Sequence, residues 1–385
     1  MERMRVKLIR KHGSTFHDFP YRGEGRKCIH TWIINVTPSG YDHCLHRCVY
    51  CYARDAVFSK KPSGEMHIYS NLPELVERDL RSLALCPPIS ISNTTDPCQE
   101  VEALWRVTED LVRLILRWGV SFCIVTKGRA ERLLTLGGFA EQPRKLVAVT
   151  IEGTSEMLAC LSPGAPPFAD RLRTVRRLSD AGVGCAVRLD PLFIHLLRAL
   201  HGPDSRRTLQ ALIEQFARAG AKHVVCSTGR LSTRPAFGRS SSLDRIATIV
   251  SRFSEEEGRL FRQDYRFDRT GTSAGYLLDR KQRLGLHRTL RQLAEAAGMT
   301  YSSCQENTAR ETDSPGVATC EGVPLPFTQR VGDRFEPIEG CNGNCFGLCS
   351  ELLHVPCGRP ELRERIPLKK SAIGREPPTG RLRIM

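Results

Sequence analysis

Three cysteines lie close together near residue 50, in the segment HCLHRCVYCYAR. Cys44, Cys48 and Cys51 are spaced C-x3-C-x2-C. Three thiolates in one tight loop can hold three irons of a [4Fe–4S] cube and leave the fourth iron without a protein ligand. An open iron can chelate S-adenosylmethionine (SAM), and an electron from the cluster then releases a 5′-deoxyadenosyl radical. The alternatives are three unrelated thiols or a zinc site, which normally takes four ligands.

Six short β-branched segments alternate with amphipathic segments that are long enough for helices. The expected strands cover residues 33–37, 89–93, 122–128, 146–151, 185–192 and 223–229. The expected helices cover residues 72–84, 101–118, 129–136, 169–182, 204–220, 243–263 and 277–298, with Asn71 as the N-cap of the first. Strands that alternate with helices indicate parallel βα units. The expected fold class is therefore α/β, a partial (β/α)6 TIM-like barrel with its chemistry at the C-terminal ends of the strands.

The composition of the chain divides it into five parts. These are an N-terminal extension (1–30), the barrel (31–230), a helical extension (231–303), a Cys-rich region (304–358) and a basic tail (359–385).

Several segments carry a family resemblance beyond the three cysteines. They are SISNTTDPCQEVE (90–102), FCIVTKG (122–128), VAVTIEG (147–153), LSPGAPPFADRLRTVRRLSDAG (161–182) and VRLDPLF (187–193). Together with HCLHRCVYCYAR, they make residues 30–230 resemble the radical SAM superfamily and, within it, the spore photoproduct lyase-like branch. The resemblance implies a radical SAM barrel that uses a [4Fe–4S] cluster and SAM, with an electron donor such as flavodoxin or ferredoxin.

The resemblance also implies roles for particular residues of this chain. It makes the three cysteines cluster ligands and places six residues at the SAM pocket: Tyr52, Thr94, Asp96, Lys127, Thr150 and Arg188. Lys127 corresponds to a lysine that approaches the SAM carboxylate, and burying a lone lysine at a strand end without an anion would be costly. For Thr150 and Arg188, a satisfied polar residue of the barrel interior is an equally good interpretation.

One departure from the family concerns the thiol that donates a hydrogen atom in spore photoproduct lyase. The corresponding stretch here reads SNTTD, and the nearest thiol is Cys98. Cys98 is therefore the candidate catalytic thiol, and a helix-start cysteine without a catalytic task is the alternative. Photoproduct reversal does not follow from the resemblance.

A second group of cysteines lies near the C-terminus. Cys304, Cys320, Cys341, Cys345 and Cys349 fall within 46 residues, and CNGNCFGLC has C-x3-C-x3-C spacing. Four thiolates would make a closed site for an auxiliary iron–sulfur cluster or a structural zinc. The spacing does not decide which four bind, and Cys357 is a further candidate.

Charge and cysteine content limit the compartment and the partner. The net charge is +15 over 385 residues, which suits a polyanionic partner, although the arginine bias of a GC-rich genome would also produce it. Sixteen cysteines without an export signal favour metal or redox sites over disulfides, hence a cytoplasmic protein. No run of 18 apolar residues occurs, so no membrane partner is expected.

Three functions are compatible with these sequence features. The first is a radical SAM enzyme acting on nucleic acid, where a base or sugar must be flipped or single-stranded to be reached. The second is a radical SAM maturase of a peptide, protein or natural product that uses an auxiliary cluster. The third is a zinc-stabilised nucleic-acid-binding protein without catalysis.

Overall fold

The computed structural model describes residues 4–18, 28, 32–56, 59–232, 240–268, 275–306, 308–343, 349 and 352–363. In this part of the chain, no helix is long and apolar enough to cross a membrane.

Strands and helices alternate along most of the described chain. The strands are β1 (Arg5–Ile9), β2 (His17–Asp18), β3 (Trp32–Ile34), β4 (Glu65–Tyr69), β5 (Leu85–Cys86), β6 (Ile89–Ile91), β7 (Phe122–Thr126), β8 (Lys145–Thr150), β9 (Cys185–Leu189), β10 (His223–Cys226), β11 (Tyr265–Asp268), β12 (Gly275–Leu278), β13 (Thr300–Ser303), β14 (Thr328–Val331) and β15 (Arg334–Pro337). The helices are α1 (Tyr52–Asp55), α2 (Leu72–Arg81), α3 (Glu102–Trp118), α4 (Ser155–Leu161), α5 (Phe168–Asp180), α6 (Ile194–His201), α7 (Ser205–Arg218), α8 (Ser242–Ser251), α9 (Glu255–Asp264), α10 (Arg280–Ala296) and α11 (Ala309–Thr312).

The central sheet has eight strands in the order β13-β10-β9-β8-β7-β6-β3-β2. Seven of them are parallel, and β2 pairs antiparallel with β3 at one edge. All six residues of β8 are buried, as expected for a parallel strand whose two faces are both covered. The α/β class and the six expected strands are thus confirmed, in a mostly parallel sheet.

The seventh parallel strand, β13, was not expected from the sequence. It pairs with β10 along four residues, from His223 opposite Thr300 to Cys226 opposite Ser303. It lies in the segment that composition set apart as a helical extension, so the sheet continues past residue 230. The strand is short and polar (TYSS), and it therefore lacks the β-branched run that marks the other strands.

Several helix boundaries differ from the pattern for identifiable reasons. The expected helix over 243–263 is two helices, because the Ser254 side chain accepts a hydrogen bond from Glu257 N–H and begins α9. The Asp279 side chain begins α10 in the same way, after β12. Asn71 does not cap α2 with its side chain. Its amide instead accepts from Lys11 N–H at 2.8 Å and donates to the Lys11 carbonyl at 3.1 Å, which ties the N-terminal segment to the sheet region.

The C-terminal segment covers part of the sheet interior. Leu325 is buried against Cys123, Ala148 and Ala186 on three neighbouring strands. Gly343 lies against it, and a Cβ there would be 1.7 Å from the Leu325 carbonyl oxygen. The strands β14 and β15 then form a hairpin that pairs with β5. The described segment 325–343 is therefore packed onto the sheet as part of its core.

Candidate active site

The cluster loop, residues 44–51, follows β3 at the C-terminal edge of the parallel sheet and leads into α1. Cys48 is buried, whereas Cys44 and Cys51 are half-buried. Burial raises the pKa of the Cys48 thiol to about 11, although nearby Lys127 opposes this shift. Burial also raises the pKa of Cys44, and the Cys48 and Cys51 thiols raise it further. The three thiols are therefore close enough to interact electrostatically. Bound iron would stabilise their thiolate forms.

Main-chain hydrogen bonds hold the cluster loop on the end of α4 and on the segment after it. Val49 N–H donates to the Leu161 carbonyl at 2.9 Å, and Gly164 N–H donates to the His46 carbonyl at 3.1 Å. The contact at Gly164 is so close that a Cβ would be 1.9 Å from the Leu45 carbonyl oxygen. The motif LSPG thus supplies a glycine where the backbone of the loop must approach.

Asp96 joins the cluster loop to the ends of two strands. Its carboxylate accepts from Thr126 Oγ1 at 2.7 Å and from Lys127 N–H at 2.6 Å, and its Oδ2 lies 3.3 Å from His46 Nδ1. Burial alone would raise the pKa of Asp96, but His46, Thr126 and the Lys127 N–H outweigh it and lower the pKa. Because both oxygens are occupied by protein groups, Asp96 shapes this part of the site by fixing its neighbours.

Thr94 and Tyr52 lie at the rim between the cluster loop and β6. The Thr94 hydroxyl donates to Asn35 Oδ1 at 3.0 Å and accepts from Ser39 at 2.9 Å. Tyr52 is 55% exposed, and its hydroxyl donates to the Asn93 carbonyl at 3.0 Å. Their positions beside the cysteines are compatible with the SAM-pocket role that the sequence predicts, and this role stays a prediction.

Lys127 is not the lone lysine that the sequence suggested. Its Nζ lies 3.6 Å from Glu152 Oε1, and the Glu152 side chain has no exposed surface. Burial would lower the pKa of Lys127, but the negative charges of Cys48 and Glu152 raise it. The expectation that SAM must supply the anion for this lysine is therefore wrong, because the protein already supplies one. The sequence shows this acid, Glu152, in the segment VTIEG, but it does not show that Glu152 pairs with Lys127.

Thr150 and Arg188 occupy paired positions on β8 and β9. Thr150 is buried, and its carbonyl accepts from Arg171 at 3.1 Å. The Arg188 guanidinium contacts Glu321 and Asp190 and donates to Cys304 Sγ at 3.3 Å. The contacts of Arg188 are those of the satisfied interior residue that the sequence left as an alternative.

Cys98 is buried just after Asp96, with only 2% of its surface exposed. Its N–H donates to Asp96 Oδ1 at 2.8 Å, and a Cβ on Gly128 would be 2.9 Å from Cys98 Cβ. Burial and the Asp96 charge raise the pKa of this thiol. This is the environment of a packed helix-start cysteine, and its catalytic role stays a prediction.

The C-terminal cysteines have different surroundings. The neighbouring thiols of Cys28 and Cys304 raise the pKa of Cys320, and Cys304 Sγ accepts a hydrogen bond from Arg188, so these three sulfurs lie close to Arg188. Cys341 has another environment, since its sulfur accepts from Phe327 N–H at 3.3 Å and from Gly343 N–H at 3.4 Å. Sequence reasoning missed Cys28 because more than 270 residues separate it from Cys304.

Two further cysteines complete the second group. The Cys349 thiol is buried and donates to Asn342 Oδ1 at 3.5 Å, whereas Cys345 lies outside the described residues. Among the described residues, no group of three or more His, Cys, Asp or Glu side chains is placed to hold a single metal ion.

The chain is similar to known proteins in both sequence and fold. No protein family model matches the chain. The chain is 21% identical over 296 residues to a protein of Pseudomonas phage M6 named radical SAM Nα-GlyT isomerase. The match covers 75% of this chain and 57% of the phage protein, so the chain spans little more than half the length of that relative.

Two solved structures of spore photoproduct lyase have the same fold over most of their length. One is a single-residue variant with a TM-score of 0.51 and 16% identity, and the other is complexed with dinucleoside spore photoproduct, with a TM-score of 0.51 and 14% identity. Each match covers 77% of this chain and 81% of the lyase. The chain is similar in sequence to a radical SAM protein and shares the fold of spore photoproduct lyase. The resemblance seen in the sequence is thereby confirmed.

Proposed function

We propose that this radical SAM homologue is an enzyme that cleaves SAM reductively at a [4Fe–4S] cluster and abstracts a hydrogen atom from a substrate. Cys44, Cys48 and Cys51 would hold the cluster. When bound, the cluster supplies the electron that releases a 5′-deoxyadenosyl radical from SAM. The observation that carries the proposal is that three thiols of one loop at the C-terminal edge of the sheet interact electrostatically, with a buried lysine beside Cys48.

The chain's own residues would orient the two cofactors. The hydrogen bonds from Val49 and Gly164 keep the cluster loop in place, and Asp96 keeps Lys127 at the edge of the site. Lys127 would offer its Nζ to the SAM carboxylate while it stays paired with Glu152. Thr94 and Tyr52 would line the rim of the same pocket, with the hydroxyl of Thr150 deeper inside. Arg188 is engaged by Glu321 and Asp190.

The test is product formation under anaerobic conditions. Reconstituted protein with dithionite and SAM should yield 5′-deoxyadenosine, measured by liquid chromatography. Cys48→Ala should abolish this product, because the thiol it removes is one of three cluster ligands. Cys160→Ala, which removes a half-buried thiol on α4, is the matched control and should retain the product. Equal product from both variants would refute the assignment.

For the substrate class we propose nucleic acid. The net charge of +15 supports it, as does the likeness to a lyase structure that holds a dinucleoside. The Lys and Arg residues of the tail after residue 363 lie outside the described residues. If the substrate is instead a peptide or other small molecule, oligonucleotides should bind no more tightly than heparin at physiological salt.

We also propose an auxiliary metal, iron–sulfur or zinc, at Cys341, Cys345 and Cys349. Two main-chain N–H groups donate to the sulfur of Cys341, and such donors stabilise a thiolate, which is the form that binds metal. Cys357 would be the fourth ligand, since Gly340, next to Cys341, packs on the backbone of Pro356 and Cys357. Cys304 and Cys320 belong with Cys28 beside Arg188, so we place them outside this auxiliary site.

A further inference from the structure

Four polar side chains are packed together against the middle of the cluster loop. Glu152 accepts hydrogen bonds from the Tyr50 hydroxyl and from Arg171 Nη1, the latter at 2.5 Å. Lys127 Nζ lies 3.6 Å from Glu152 Oε1 and 5.7 Å from the centre of the Tyr50 ring. Tyr50 stands between Cys48 and Cys51 in the sequence, so this group is attached directly to the cluster loop.

The charges of this group are buried and do not cancel. The side chains of Glu152 and Arg171 have no exposed surface, and that of Lys127 is 15% exposed. Buried charged groups lose their hydration, and this loss is offset only if close contacts and hydrogen bonds within the protein replace it. Here two cations share one carboxylate, which leaves one positive charge in excess. Cys48 lies in the field of Lys127. It would be a thiolate when it holds the cluster, so the excess positive charge would face an anionic ligand across the loop.

Arg171 holds Glu152 in place. Its guanidinium also donates to the carbonyls of Pro166 and Thr150 and to the hydroxyl of Ser162, so its hydrogen bonds span the segment that supports the cluster loop. Asp96 is the other acid near Lys127, and it is engaged with His46 and the Lys127 N–H. Glu152 is thus the acid in direct contact with the Nζ of this lysine.

We propose that Lys127 and Glu152 are positioning residues that set the reduction potential of the cluster held by Cys48 and its two neighbours. This inference rests on the proposed function. One-electron reduction adds a negative charge to the cluster. A cation fixed beside it favours the reduced form, whereas an anion fixed there disfavours it. Lys127 therefore raises the potential and Glu152 lowers it, and their pairing keeps the value between these limits.

The two residues should have opposite effects when each is neutralised. In full-length reconstituted protein, Glu152→Gln should make the potential more positive and Lys127→Met should make it more negative. In a redox buffer set at the wild-type midpoint, we expect the ratio of reduced to oxidised cluster to rise about tenfold in the first and fall about tenfold in the second. This is the order expected for a unit charge in a partly buried site. The double variant should return toward the wild-type ratio.

The measurement is a redox titration followed by electron paramagnetic resonance, without SAM, so that it does not depend on turnover. Glu152→Asp keeps the charge and should restore the wild-type potential. Tyr50→Phe removes one hydrogen bond but no charge, and Glu214→Gln neutralises an exposed acid on α7; neither should shift it. If the two single variants shift the potential in the same direction, or not at all, the inference is wrong while the proposed function stands. If wild-type protein binds no cluster through the three cysteines, the proposed function itself fails.

Discussion

Adding one methyl group at Gly164 should disrupt the cluster loop. A Cβ there would lie 1.9 Å from the Leu45 carbonyl oxygen and 3.1 Å from its carbon. Because Cβ atoms essentially never approach a heavy atom within 3.0 Å, the two segments must separate by about 1.1 Å. The atoms in contact belong to backbone on both sides, and no flexible side-chain end can move aside. Overpacking of this kind costs about 1–3 kcal/mol.

The separation also removes an anchor of the loop. The Gly164 N–H donates to the His46 carbonyl at 3.1 Å, and a net hydrogen bond contributes about 1 kcal/mol. We therefore expect Gly164→Ala to lower the free energy of unfolding by about 2–4 kcal/mol, if the overpacking and the lost bond add. We also expect it to lower the iron content of the N-terminal cluster severalfold, because the shift moves residues between Cys44 and Cys48.

Urea unfolding and iron per chain after anaerobic reconstitution measure these two effects. Gly184→Ala is the matched control, since a Cβ at Gly184 meets nothing within 4 Å. It should leave both the unfolding free energy and the iron content close to those of the wild type. Full iron occupancy and unchanged stability in Gly164→Ala would refute the view that this glycine is required by close backbone approach.

Three further predictions concern other parts of the molecule. Asp96→Asn should destabilise the protein at pH 7. Because folding lowers the pKa of Asp96, its contribution to stability is present above the unfolded pKa of about 3.9 and is lost at lower pH. In urea unfolding, the difference in stability between variant and wild type should therefore shrink as the pH falls below that value, and a growing difference would contradict the prediction. Cys341→Ala should lower the iron or zinc per chain while the absorbance of the N-terminal cluster persists, and metal content equal to wild type would contradict an auxiliary site. Binding of DNA and RNA oligomers should weaken steeply with salt, because each neutralised phosphate releases counterions, and single strands should bind better than duplex; a preference for intact duplex would count against entry of a nucleotide into this site.

The sequence by itself determined the features that depend on near neighbours. The C-x3-C-x2-C spacing places three thiols in one loop whatever surrounds it, and the run of β-branched segments gave six of the seven parallel strands. Both signals are local. The strands are indicated by the periodicity of neighbouring residues, and the closeness of the three thiols follows from the few residues that separate them. The positions of Asp96 and Lys127 at the C-terminal edge followed from the same strand pattern.

Only the tertiary structure decided which distant groups meet. The pairing of Lys127 with Glu152 depends on the alignment of β7 with β8, and the proximity of Cys28 to Cys320 joins segments that are far apart in the chain. Strand β13 forms although its own sequence is polar, because β10 offers a free edge beside it. Such contacts depend on strand register and on packing between segments that are far apart in the chain. No local sequence pattern indicates such contacts. For this reason the sequence suggested that Lys127 is unpaired and that the C-terminal cysteines form one group.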